Sequence, residues 1–237
     1  MPTDERETSC TLVRDGDVAL LLDAGTGVRR LVTDPEPVAG VERVHVCLTH
    51  FHLDHVIGLF YVGDVGVPVE VWGGGETLEG TPTAELVAQL LQSPFAPPSF
   101  AGSFAGVHEL REGEQEVGPF RVRARKQPLH TNPTLALRIG DELALCTDTG
   151  YDEANGDFAR GARVLLHEAF EAADTIGDPA HTAAGEAARV AAAAAVERLI
   201  LIHLNPLNAS DDAVLACARK HFPAAEVGRD GLEFSTR

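Results

Sequence analysis

Between Thr49 and His55 the chain reads Thr-His-Phe-His-Leu-Asp-His, so three imidazoles and a carboxylate fall within six residues directly after an apolar run. A chance polar turn does not produce that density of nitrogen and oxygen donors, whereas a metal site requires it. The preceding Arg43-Val44-His45-Val46-Cys47-Leu48 alternates and is β-prone, which predicts a strand that delivers the histidines to a loop at its carboxyl end. His50 and His52, two residues apart, can converge on one ion, while Asp54 and His55 point elsewhere and can serve a second. Neutral imidazoles with a carboxylate suit zinc or another borderline divalent ion.

Further donors also stand at the ends of predicted strands. Thr8–Val13 and Val18–Leu22 read as a hairpin with Asp15-Gly16 at the centre of its turn. Its second strand runs into Asp23-Ala24-Gly25-Thr26-Gly27, where glycines allow close backbone approach. Asp23 is there either an acceptor behind a ligand imidazole or an exposed acid in a Gly-rich turn. His130 follows the alternating strand Phe120–Lys126, and Asp148 ends the apolar run Leu143–Cys146. His167-Glu168 closes the strand beginning at Val164, and His203 that beginning at Leu199. His181 opens an alanine-rich helix with Thr182 as its N-cap. Thr81-Pro82 opens another helix running to Leu91, and Ser210 caps a last one reaching about His221. Glu226-Val227 and Leu232–Phe234 read as closing strand pieces. The Pro- and Phe-rich stretch 93–100 is irregular, either a rim over a pocket or a loop pinned by its aromatics. Arg121, Arg123 and Arg125 share one strand face, which reads as a charged solvated face before it reads as a phosphate site.

The His-x-His-x-Asp-His string resembles the signature of the metallo-β-lactamase-fold hydrolases, and Asp-x-Gly-x-Gly from Asp23 resembles that family's second motif. From Asp23 to His203 the donor residues fall in family order. The resemblance implies an α/β chain folded as an αββα four-layer sandwich, two mixed sheets with helices outside, around a dinuclear centre. By that carry-over His50, His52 and His130 hold one metal, Asp54, His55 and His203 hold the other, and Asp148 bridges them. Asp54 also orients the attacking hydroxide and so counts with His181 as catalytic. His-Thr-Ala-Ala at the start of a helix, 22 residues before His203, resembles the ribonuclease Z-like and cyclic phosphodiesterase branch, where His181 is suited to protonate a leaving alkoxide or bind a phosphoryl oxygen. His167-Glu168 is expected to support rather than ligate. Few residues precede the first hairpin, so an edge strand of the family's first sheet is expected to be missing.

These observations predict a dinuclear phosphodiesterase that uses two divalent ions, zinc with manganese as the alternative, on small phosphodiesters including cyclic-nucleotide types. The alternatives are a lactonase or thioesterase on the same metals, and a tRNA 3′-processing endonuclease lacking its usual arm. In ribonuclease Z-like enzymes of the bacterial type a basic arm is inserted between the third metal histidine and the bridging aspartate. Here His130 and Asp148 are only 18 positions apart, and two apparent strands and a turn at Gly140-Asp141 fill the interval. With 36 acidic against 19 basic residues, a net charge of −17 repels polyanions at long range, so nucleic acid is not the expected partner. No leader-like start and no apolar run of transmembrane length is present, which predicts a cytoplasmic protein with no membrane partner. Residues 1–237 are expected to form one domain, with a homodimer left open, and the four scattered cysteines read as core residues.

Overall fold

The computed structural model describes residues 3, 6–97, 100, 102–207 and 210–236, so Pro98 and Ser99 of the Pro/Phe-rich stretch lie outside the described residues. The chain divides into two compact units, residues 1–111 with 116–120 and residues 112–115 with 121–237.

The first unit is built from β1 (Thr11–Asp15), β2 (Val18–Leu22), α1 (Val28–Thr33), β3 (Arg43–Leu48), α2 (Leu53–Val56), β4 (Val69–Gly73), α3 (Gly75–Glu79), α4 (Thr83–Leu90) and β5 (Gly106–Glu109). Its sheet has the order β1-β2-β3-β4-β5, with an antiparallel first pair and parallel pairs after it. Leu21, Val46 and Val71 come from neighbouring strands and are fully buried with Val28, Val56 and Leu59. The hairpin turn lies one residue later than expected. Asp15 pairs with Val18, and Gly16, at φ 61°, opens a Gly16-Asp17 turn because a residue without Cβ enters that left-handed position at little cost. Thr81 is not the N-cap of α4; Pro82 holds that position, one residue later than expected. The helix starts at Thr83, whose N–H is taken by the Glu109 carboxylate and whose hydroxyl donates to the Gly73 carbonyl at 2.6 Å. In the Pro/Phe-rich stretch Phe95 is exposed, whereas Phe100 packs edge-on against Phe60 with ring centroids 5.6 Å apart.

The second unit carries most of the sheet β12-β11-β10-β9-β8-β7-β6, made of β6 (Gly113–Val117), β7 (Phe120–Gln127), β8 (Thr134–Ile139), β9 (Leu143–Cys146), β10 (Val164–Glu168), β11 (Arg198–Ile202) and β12 (Glu226–Val227), with the end of β6 and the first residue of β7 counted in the first unit. Its helices are α5 (Ala154–Ala159), α6 (Ala184–Ala194) and α7 (Asp211–Ala218). β9 to β12 are parallel, and β8 is antiparallel to both neighbours, so β7, β9, β10 and β11 end at one edge. Loops leaving such an edge are where α/β sheets gather ligand-binding groups. Behind it Leu165, Leu199 and Leu201 pack with Phe158 and with Ala184, Ala187, Ala188 and Ala191 of α6. Alanine has the highest helix propensity and lets a helix approach its neighbours closely.

Thr182 does not cap α6. The helix begins two residues later, its Ala183 N–H bound by Glu186 at 2.9 Å, and Thr182 instead donates to the Thr149 carbonyl at 2.6 Å. Ser210 does cap α7, accepting from the Ala213 N–H, although the helix stops at Ala218. Leu232–Phe234 is not a strand. Cys47 and Cys146 are buried, and no cysteine is in a disulfide. Among the described residues no helix is long and apolar enough to cross a membrane.

Candidate metal centre

In the first unit β2 and β3 run parallel with Leu22 opposite Cys47, so Asp23 and Thr49-His50 leave the sheet side by side. Asp23, Thr49, His50 and His55 are buried. The Asp23 carboxylate accepts the Thr49 N–H at 2.7 Å, the Thr49 hydroxyl at 2.9 Å, the Ser9 hydroxyl at 3.1 Å and His55 Nδ1 at 2.8 Å. Thr49 thereby spends its one hydroxyl proton, and its oxygen accepts from His50 Nδ1 at 3.1 Å. Both rings are therefore held in the tautomer whose Nε2 carries the lone pair, the form that ligates a metal. The chain turns into α2 directly after His52 and brings Asp54 and His55 back. Ring centroids lie 4.5 Å apart for His50 and His52 and 4.3 Å apart for His50 and His55, and Asp54 Oδ2 is 3.7 Å from His55 Nε2.

Of the two readings open for Asp23, the geometry selects the buried acceptor, bound to His55 directly and to His50 through Thr49. Asp23 sits at φ 63°, a conformation that asparagine also tolerates, so Asp23→Asn removes charge with little change of shape. We expect this variant to weaken metal binding about 10- to 100-fold in a competitive chelator titration. Unchanged affinity would show that Asp23 serves packing alone.

In the second unit Asp148 follows β9, Glu168 ends β10 and His203 follows β11, while His130 lies beyond β7 at the same edge. Asp148 Oδ1 accepts the Thr147 hydroxyl at 2.7 Å, and its Oδ2 lies 3.4 Å from His203 Nε2 and 3.8 Å from His130 Nε2. His130 donates through Nδ1 to the Ala180 carbonyl at 2.7 Å, which fixes its tautomer as in the first unit. One donor atom each from Asp148, His181 and His203 fall within 4.8 Å of one another. Asp148 and His203 both have φ 50°.

Glu168 supports this group. Its Oε1 accepts the Thr149 N–H and its Oε2 binds His181 Nδ1 at 2.9 Å. Burial pushes the Glu168 carboxyl well above the usual carboxylate range, and the negative charge of Asp148 adds to the shift. His167 is buried too, which lowers its pKa to about 4, and it donates through Nδ1 to the Glu168 carbonyl at 2.8 Å. Phe170 stacks on His181 with centroids 4.0 Å apart and planes 13° apart. Phe170, Thr49 and Ser9 have structural parts in these clusters that sequence reasoning missed. Phe170 follows Glu168 by two residues and Thr49 immediately precedes His50, so their placement beside the donors was the available signal.

The first unit thus gathers His50, His52, Asp54 and His55, and the second His130, Asp148, His181 and His203. The family described as Beta-lactamase superfamily domain matches residues 19–204, a span containing all of them. The chain belongs to this superfamily. A ribonuclease Z of Methanopyrus kandleri is 28% identical over 267 residues, covering 100% of this chain and 94% of that protein. Among solved structures, the metallo-β-lactamase fold protein YhfI from Bacillus subtilis superposes with a TM-score of 0.77 at 24% identity, covering 98% of this chain and 93% of that one. A diphosphatase of the PhnP family superposes with a TM-score of 0.70 at 16% identity, over 95% of this chain and 84% of that one. The chain is therefore a metal-dependent hydrolase with the metallo-β-lactamase fold, of the ribonuclease Z-like kind.

Proposed function

We propose that this superfamily member is a phosphodiesterase acting on small diesters. The observation that carries the reading is the setting of His181, bound to Glu168 at 2.9 Å, stacked on Phe170, and grouped with Asp148 and His203. An acyl hydrolase does not need a histidine built in this way, whereas cleavage of a phosphodiester with a poor leaving group needs a proton donor.

The donor set fits two divalent ions, because imidazoles held in their ligating tautomer stand beside carboxylates that accept hydrogen bonds from their surroundings. In this reading His50, His52 and His130 hold one ion and Asp54, His55 and His203 the other, with Asp148 shared and zinc favoured over manganese. Such ions, when bound, supply a hydroxide near neutral pH and offset charge at the attacked centre. Asp54, half-exposed, orients the nucleophile. Glu168 holds Nδ1 of His181, so its Nε2 is the atom that meets the leaving oxygen. We take residues 1–237 as one functional domain in this reading.

RNA is the second reading, because the ribonuclease Z of Methanopyrus kandleri matches the whole of this chain. Against it, β8 and β9 with the Gly140-Asp141 turn fill the interval from His130 to Asp148, where the bacterial type carries its arm, and the net charge is −17. Turnover of a nitrophenyl phosphodiester, cyclic nucleotides and a precursor tRNA, compared at several salt concentrations, tests the choice. We expect turnover on the small diesters and little on the tRNA. Efficient, site-specific tRNA cleavage that falls steeply with salt would overturn the assignment.

A further inference from the structure

Arg121 and Arg123 lie on the exposed positions of β7, and Arg138 on antiparallel β8 stands directly opposite Arg123. Like charges at opposed positions repel, yet three guanidinium groups collect here in a chain with nearly twice as many acids as bases. Together with Glu114, Gly140 and Asp141 they line a cavity of about 170 Å³.

The three arginines are held differently. Arg138 is clamped: Nε donates to the Gly140 carbonyl at 2.8 Å, Nη1 to the carbonyls of Phe158 and Arg160, and Nη2 to the Asp141 carboxylate at 2.9 Å. It supplies a fixed charge with few donors to spare. Arg121 meets Glu114 and Asp141 only loosely, at 3.7 and 3.8 Å. Arg123 rests over the Phe158 ring at 5.4 Å and, among the described residues, pairs with no carboxylate. Arg125 continues the row in sequence, but its guanidinium is bound to Asp152 and Asn155. The patch therefore sets three cations against two carboxylates, and the uncommitted donors belong to Arg121 and Arg123. Guanidinium forks match phosphoryl oxygens in geometry and charge.

We propose that this cavity binds a phosphoryl anion, of the kind carried by a diphosphate or a nucleotide, apart from the metal donors. Arg121 and Arg123 donate to its oxygens, Arg138 supplies charge behind them, and the bound anion relieves the repulsion across β7 and β8. Four residues separate Arg123 from the end of β7, about 13 Å of strand, and His130 lies beyond that end. An anion in the cavity therefore does not touch Asp148.

The test uses the full chain treated with chelator, so that metal-held phosphate cannot imitate the effect. Inorganic pyrophosphate and a short single-stranded RNA are titrated separately at fixed salt. Calorimetry gives the affinity, and the arginine Nε–H resonances give the location. We expect saturable binding of pyrophosphate that shifts Arg121 and Arg123, weakened at least about tenfold in Arg121→Gln/Arg123→Gln. Both side chains are exposed, and an unchanged melting temperature verifies the fold of that variant. Saturation by RNA alone identifies a nucleic-acid backbone as the source of the same phosphate chemistry. The proposal is overturned if neither probe saturates, or if the double variant binds as the parent does.

Discussion

Replacing Asp148 with alanine is expected to remove diester hydrolysis together with bound metal. Asp148 is buried, its Oδ1 is occupied by the Thr147 hydroxyl, and its Oδ2 faces Nε2 of both His203 and His130. A carboxylate so placed can serve two cations at once. The parent chain, resupplied with zinc, should carry close to two ions by mass spectrometry, and the alanine variant at most one. Turnover should fall by about three orders of magnitude or more, since water no longer ionises near neutral pH. Alanine tolerates φ 50° less well than aspartate does. Asp148→Asn is therefore the companion variant, with the backbone preference kept and the charge lost. A variant that keeps both ions and most of its turnover would refute the shared-ligand role.

His181→Ala should fail in a different way. Both ions should remain, and turnover should fall about 10²- to 10⁴-fold on diesters with poor leaving groups but much less on a nitrophenyl diester, which needs little protonation to depart. Glu168→Gln should follow the same pattern more weakly, because its carboxylate positions the ring without reaching the reacting atoms. The geometry admits a competing role, since the donor atoms of Asp148, His181 and His203 are close enough to share one ion. Metal analysis separates the two: an ion lost from His181→Ala makes the residue a ligand. Equal loss across all leaving groups with both ions retained would remove the proton-donor reading.

Much of this was legible because the donors end apolar runs. The sequence predicts β3 from Arg43 to Leu48 and the strand has those bounds, since its alternation is clean and His50 marks where it must stop. Asp148 and His203 were readable for the same reason. β5 and β6 were not. Gly106–Glu109 and Gly113–Val117 are polar or half-exposed and carry no apolar alternation, so they are strands because β4 and β7 offer them partners. Strand propensity is weak against such pairing. Thr182 looked like a cap because threonine before a helix usually is one, but its hydroxyl was claimed by a carbonyl 33 residues away in sequence. The division into two units has no linker to announce it, since the boundary falls inside the β6–β7 hairpin.

Asp23, Asp148 and His203 are three of the four non-glycine residues that take a positive φ among the described residues. A residue held in this region costs of the order of 1–3 kcal/mol, and glycine at the same place would be more comfortable. At Asp148 and His203 glycine would relieve that cost, whereas at Asp23 it would strip the acceptor from four hydrogen bonds. A library selected for heat resistance alone should drift toward glycine at positions 148 and 203, and in the proposed reading yield robust chains with no catalysis. Engineering this scaffold for endurance requires a screen that reads turnover at every round.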